Sequence, residues 1–279
     1  QLTLALASFA GAWATQPAEL LVLRAVEGFG FLLVVLPVPS LIRQLVPARR
    51  LALHLGLWGT YMATGTSLAL LGAPAILGAM GWRGWWGLLA ACSAAMALWV
   101  ALQVPLGPPG HPATADATPA PADDAWWQRL RLTLGSAGPW RVAMTFAMYS
   151  GQWLAVIGFL PLLYAQAGLS GQTAGVLTAL ACFVNVTGNI AAGRLLHRGV
   201  AARQLLVLGF TTMAVTTLLA FGQFTDTMPT LRYLAVLVFS AVGGVIPGTL
   251  FSLAVQVAPS ERTVSTTVGW MQQCSSTGQ

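Results

Sequence analysis

Apolar residues run in long stretches along this chain, and polar residues crowd into the short gaps between them. A run of about 18 or more apolar residues is long enough for a helix to cross a bilayer. Complete runs occupy residues 18–42, 51–80, 84–104, 141–165, 173–196, 203–223 and 231–257. Leu2 to Ala14 reads as the tail of one more and residues 263–279 as the start of another, so seven complete and two partial spans are expected. Gln1 opens directly in an apolar run and Gln279 lies early in one, so the chain reads as missing sequence at both ends.

The gaps carry arginine and give the spans a direction. With the end near Ile42 cytoplasmic, Arg43, Arg49, Arg50, Arg129, Arg131, Arg141, Arg194, Arg198, Arg203 and Arg262 fall on the cytoplasmic side. Only Arg83 and Arg232 fall outside. Such a bias is the usual topological signal. Residues 105–139 break the pattern, with Pro105, Pro108, Pro109, Pro112, Pro119 and Pro121 in a non-helical linker. Asp123 or Asp124 is placed to cap a short amphipathic helix, with Trp126 and Trp127 anchoring at the interface. The division is an N-terminal bundle over 1–104, a cytoplasmic linker over 105–139 and a C-terminal bundle over 140–279.

Composition settles the class. The chain is 56% hydrophobic and 7% charged, against about 25% charged in a soluble domain. Its 13 basic residues are all arginine. Apart from Arg24, they lie between apolar runs or at their ends rather than on one exposed face, so no nucleic-acid partner is expected. Cys92, Cys182 and Cys274 sit singly and read as packing residues. His54, His111 and His197 have no metal-ligand spacing, and no nucleotide fingerprint or nucleophile elbow appears. No cofactor or metal is expected, and the chain does not read as an enzyme.

Two patterns remain. Leu45-Val-Pro47-Ala-Arg49-Arg50 recurs as Val257-Ala-Pro259-Ser-Glu261-Arg262, and Trp58 follows Pro47 by the interval at which Trp270 follows Pro259. This is a parallel pseudo-repeat, a device of transporters whose two bundles rock about a central path. Arg24 and Glu27 stand inside an apolar run, where each charge costs roughly 2.5–3.5 kcal/mol on insertion scales. They lie about 60° apart on a helix, close enough to pair. The repeat places Val236 and Phe239 opposite them, so the charges break the symmetry of the halves.

The chain resembles the major facilitator superfamily of secondary transporters. Leu20-x-x-x-Arg24-x-x-Glu27-Gly28-x-Gly30 matches that family's fourth-helix motif, although Gln is commoner at the Glu27 position. Gly81-Trp82-Arg83 is similar to its turn between the fifth and sixth helices, and the proline-rich linker to its central loop. Gly193-Arg194-Leu-Leu-His197-Arg198-Gly199 is similar to the eighth-to-ninth loop motif, with His197 where Asp is usual. The Arg24 segment and the Trp-rich Gly81 region look most like the branch with cyanate-transporter-like proteins.

The resemblance implies an all-α, polytopic transmembrane helical bundle in two halves, running from about the third helix to the eleventh. It implies a monomer in a bacterial inner membrane. It also implies proton-coupled alternating access for a small solute, an organic or inorganic anion by preference. A drug or metabolite exporter of the same family is the alternative. A non-transporting membrane sensor or scaffold is the alternative of another class.

Arg24 is the candidate anion ligand and Glu27 the candidate proton carrier; the competing role is a structural ion pair with Arg24 snorkelling outward. Tyr149, Gln152 and Trp153 share a helix face that the resemblance places on the central cavity, or else they are core. Asn185 and Asn189 lie one turn apart and serve a polar path or interhelical hydrogen bonds. Trp58 and Tyr61, with Trp270 and Gln273 on the repeat mate, complete the candidate ring.

Overall fold

The computed structural model of the protein describes residues 1–103 and 126–279, and among these every regular element is helical. In chain order the α-helices are α1 (Leu2–Gly11), α2 (Pro17–Val35), α3 (Val38–Leu45), α4 (Leu51–Trp58), α5 (Tyr61–Gln103), α6 (Trp126–Leu134), α7 (Ala137–Gln166), α8 (Gly171–His197), α9 (Ala202–Phe221), α10 (Pro229–Gly243), α11 (Val245–Val257) and α12 (Val264–Gly278). Most of the proline-rich stretch, with Asp123, Asp124 and His111, lies outside the described residues. The short helix expected after it is α6.

Stretches long and apolar enough to span a membrane are Pro17–Leu45, Ala48–Gln103, Ala137–Gln166, Gly171–His197, Ala202–Phe221 and Pro229–Val257. The second has 56 residues, about 84 Å of helix at 1.5 Å per residue against a hydrocarbon core of about 30 Å. Gly81 divides it. Its φ of 67° is left-handed backbone that glycine adopts without strain. The two spans expected on either side, 51–80 and 84–104, are therefore separated by one residue rather than a three-residue turn.

Proline and capping set the other boundaries. Pro37 and Pro39 lack the N–H groups that helical bonds to Leu33 and Val35 would need, and α2 ends at Val35. Pro247 likewise has nothing to donate to Gly243, and α10 gives way to α11 at Gly244. The break at Gly59 and Thr60, between α4 and α5, was not expected; there Thr60 Oγ1 bonds back to the Leu57 carbonyl at 2.8 Å. Helix α7 begins at Ala137, earlier than the 141 read from the apolar pattern. Pro139 fits its first turn because that N–H has no helical partner in any case. Ser170 caps α8 by accepting from the Thr173 amide at 3.2 Å.

The contacts gather the chain into two compact units, Gln1–Val38 with Ala73–Arg129, and Pro39–Gly72 with Leu130–Gln279. In the first unit, α1 lies on α2 through small residues. Gly30 faces the Leu4 backbone, and Trp86 covers Gly11. In the second unit, α8 is central. It packs on α4, α7, α10 and α11. The core there is built of Ile157, Leu160, Ala181, Cys182, Ala220, Ala235 and Val236 at one level, with Leu55, Val255 and Val264 at another. Each copy of the pseudo-repeat forms the same local structure: a helix, a proline, a 3-10 turn (Ala48–Arg50 or Glu261–Thr263) and a second helix. Arg43 joins the two copies through an ion pair to Glu261 at 2.6 Å.

The seams of α8 are made by backbone meeting backbone. A Cβ at Gly188 would lie 2.0 Å from the Ala241 carbonyl oxygen, whereas one at Gly175 would meet nothing closer than 3.9 Å. Gly188→Ala is therefore expected to destabilise the protein by about 1–3 kcal/mol through overpacking. Gly175→Ala, in the same helix, is expected to stabilise by about 0.5–1 kcal/mol through lower chain entropy. Unfolding of the two variants in detergent checks the opposite signs.

Candidate functional site

Helix α2 puts Arg24 and Glu27 one turn apart, and they do pair: Arg24 Nη1 lies 2.8 Å from Glu27 Oε2. The other carboxylate oxygen accepts from Ser8 Oγ of α1 at 2.5 Å. Glu27 is only 8% exposed, while the Arg24 side chain is 56% exposed. The guanidinium carbon sits 4.1 Å from the centroid of Trp86, which holds the charge by a cation–π contact as well. So the carboxylate is enclosed and satisfied on both oxygens, and the arginine faces outward between an acid and a ring. Sequence reading found the pair and missed Ser8. Trp86 packs on Gly11 and Arg24, while Trp82 stays exposed.

The remaining candidates lie in the second unit. Tyr149 of α7 and Asn185 of α8 meet: Asn185 Nδ2 donates to the Tyr149 hydroxyl at 3.1 Å and to the Ser240 carbonyl at 2.8 Å. Asn189 donates to Asn185 Oδ1 at 3.0 Å, and its own Oδ1 is buried with no hydrogen-bond donor. From Tyr149 a file of rings crosses the unit. Tyr149 stacks on Phe146 (centroids 6.0 Å), Phe146 meets Phe251 (5.5 Å), Phe251 meets Trp58 (4.5 Å), and Trp58 meets Tyr61 (5.2 Å). At the far end Gln272 of α12 donates to the Tyr61 hydroxyl at 2.9 Å. The file is thus closed at each end by an amide that holds a phenol.

Five of the sequence candidates, Trp58, Tyr61, Tyr149, Asn185 and Asn189, belong to this network. Trp153 packs instead on the core around Ile157 and Val236, and Gln152 is half-buried beside it in sequence. Trp270 lies edge-on to Trp140 at 4.7 Å, and Gln273 is exposed. The residues that sequence reading missed are Phe146, Ser240, Phe251 and Gln272. For Gln272 a signal exists: Val264, Thr267, Val268, Met271, Gln272 and Ser275 form one buried stripe at helical spacing. Gln273 is outside that stripe by a rotation of about 100°.

With this geometry in place, comparison with known proteins decides the lineage. A family model of the Major Facilitator Superfamily matches residues 1–279. The chain belongs to that superfamily. No curated protein matches it in sequence. Among solved structures, a bacterial homolog of the human lysosomal transporter Spinster, crystallised inward-facing and unoccupied, matches with a TM-score of 0.62 and 17% identity. The alignment covers 99% of this chain and 64% of that one, so the superfamily member described here spans about two thirds of its length. The likeness bears on the fold: a multi-pass helical membrane protein.

The Asn185–Tyr149 bond gives a direct energetic test. Polar pairs within membrane proteins couple by about 0.6 kcal/mol on average and by no more than about 1.7. A double-mutant cycle with Asn185→Ala and Tyr149→Phe is expected to return a favourable coupling in that range by unfolding measurements. A coupling indistinguishable from zero would show that the contact contributes nothing.

Proposed function

We propose that the chain is the greater part of a secondary transporter that moves a small organic or inorganic anion by proton-coupled alternating access. The observation that carries this reading is the enclosed carboxylate of Glu27, held by Ser8 and shared with a half-exposed arginine inside an apolar helix. Charges at such positions are costly and serve function by default. The coupling follows from competition. While Glu27 is ionised, its charge engages Arg24. Once Glu27 takes a proton, that attraction ends, and Arg24, still supported by the Trp86 ring, is available to an anion. Loss of the anion restores the pair and expels the proton. The counterpart positions Val236 and Phe239 are buried and apolar, so only one half carries this chemistry.

In the same reading the protein is a monomer in a bacterial inner membrane, and residues 105–139 are cytoplasmic. That segment links an N-terminal bundle over 1–104 to a C-terminal bundle over 140–279. Gln152, Trp153, Trp270 and Gln273 face the path in some stage of the cycle, as Trp58, Tyr61, Tyr149, Asn185 and Asn189 do in theirs. The file of five rings favours a second reading, an exporter of aromatic drugs or metabolites. Stacking on such a surface does not need an anion.

Reconstitution of the full-length protein into liposomes separates these readings. Glu27→Gln is expected to abolish uptake driven by a proton gradient while sparing exchange of labelled anion across the membrane. Arg24→Ala is expected to weaken anion affinity at least tenfold. Gradient-driven uptake that survives Glu27→Gln would remove the coupling role, and transport of aromatic cations in preference to anions would favour the exporter.

A further inference from the structure

A cavity of about 530 Å³ opens in the second unit at the end of the helices that carries Arg49, Arg194, Arg198 and Arg203. Its walls come from the 3-10 turn before α4, the α8–α9 turn, the start of α9 and the last turns of α11; Arg49, Ala52, His197, Ala202, Ser252 and Gln256 line it. None of these residues belongs to the ring file or to the Arg24–Glu27 pair.

The chemistry of the lining is one-sided. Among the described residues no carboxylate lines the cavity, and the Arg49 guanidinium pairs with none. Glu261, the acid nearest in the repeat, is already held by Arg43. His197 Nδ1 lies 2.6 Å from the Arg49 carbonyl. A carbonyl only accepts, so this nitrogen carries the proton, and the bond ties the α8–α9 turn to the turn that bears Arg49. Helix α9 starts at the cavity with Ala201 as its N-cap, a residue with no side-chain oxygen to take up the first-turn N–H groups. The Gln256 amide adds further donors. The cavity is therefore lined by an exposed arginine that pairs with no acid, a helix N-terminus without a side-chain cap and an exposed amide, in a volume typical of small-molecule pockets.

We propose that this cavity binds a phosphate-bearing anion, with Arg49 as the charged ligand and the first turn of α9 as the second donor group. Arg49 reaches a phosphate in bidentate fashion, and the N–H groups of α9 take a further oxygen. The remaining volume holds an organic body of a few carbons, such as a glycerol unit. A soluble phosphomonoester and the headgroup of an anionic phospholipid share this chemistry. Bound there, either one would brace the α8–α9 turn, the Arg49 turn and α11 together.

The full-length protein tests the site in two arms. Glycerol 3-phosphate is titrated into protein in neutral detergent, and phosphatidylcholine nanodiscs are compared with and without phosphatidylglycerol. The thermal midpoint and native mass spectrometry report binding in both. A midpoint that rises in either arm, and falls back in Arg49→Gln with at least tenfold weaker binding, sustains the site. The first arm alone identifies a soluble phosphate ester, the second alone a lipid headgroup.

Ala202→Asp supplies the variant that a merely structural effect would not mimic. A carboxylate at the first turn of α9 supports the helix dipole, so the unliganded midpoint holds or rises while anion binding falls. Three results overturn the proposal. They are no binding in either arm, binding in Arg49→Gln within twofold of the unmodified protein, and an equal loss in Arg83→Gln, whose arginine lies elsewhere.

Discussion

Helix α8 can occupy the middle of its unit only because backbone is allowed to touch backbone on both of its flanks. In a bilayer, apolar side chains gain little by leaving lipid for protein, so helices associate through close packing and polar contacts. The flank toward α10 and α11 is opened by Gly188 and Gly244, where an added Cβ would lie 2.0 Å and 2.1 Å from facing carbonyl oxygens. The flank toward α4 is opened by Gly193 and Gly56. The buried amides of α8 depend on this approach. Asn185 reaches both Tyr149 and the Ser240 carbonyl because α7 and α10 stand at hydrogen-bond distance from one helix face. Asn189 sits under Gly59, where a side chain would collide with its amide oxygen at 2.7 Å.

The same economy governs the first unit at smaller scale. Gly30 and Gly11 let α1 and the Trp86 segment close on α2. Closure brings Ser8 to Glu27 and the indole to Arg24. A carboxylate with 8% exposure is tolerable here because both of its oxygens are engaged. Removing one partner would leave a costly buried charge. The ion pair is thus both structural and poised. Of the roles weighed from sequence, the structure displays the packing role directly: the pair, Ser8 and Trp86 hold α1, α2 and the Trp86 segment together.

What could be read from sequence follows from the physics of each signal. Apolar runs mark spans because lipid demands them, so the run boundaries matched the helices to within a few residues. Proline and glycine marked the breaks at Pro37, Gly81 and Gly244 because their backbone chemistry is local. The break at Gly59 and Thr60 was not read, because Gly59 is one of many glycines in apolar runs; what sets it apart is Asn189, distant in sequence, whose Oδ1 would lie 2.7 Å from an added Cβ. The ring file escaped for a similar reason. Phe146 and Phe251 look like any lipid-facing phenylalanine until α7, α11 and α4 are packed. Gln272 was legible from the periodicity of α12, but repeat alignment drew attention to its neighbour Gln273.

The repeat explains why alignment misled there. The two copies share the proline and the 3-10 turn, yet they diverge beyond it. Helix α4 stops at Trp58, while α12 runs unbroken from Val264 to Gly278. Equivalent sequence positions after the turn therefore do not keep equivalent faces. Trp58 joins Phe251 and Tyr61 in the ring file, while Trp270 turns to Trp140. The repeat supplies two similar proline-and-turn segments, each leading into a helix. The asymmetry between the copies comes from where each helix is then allowed to end, and from Arg24 and Glu27, whose counterparts Val236 and Phe239 are buried and apolar.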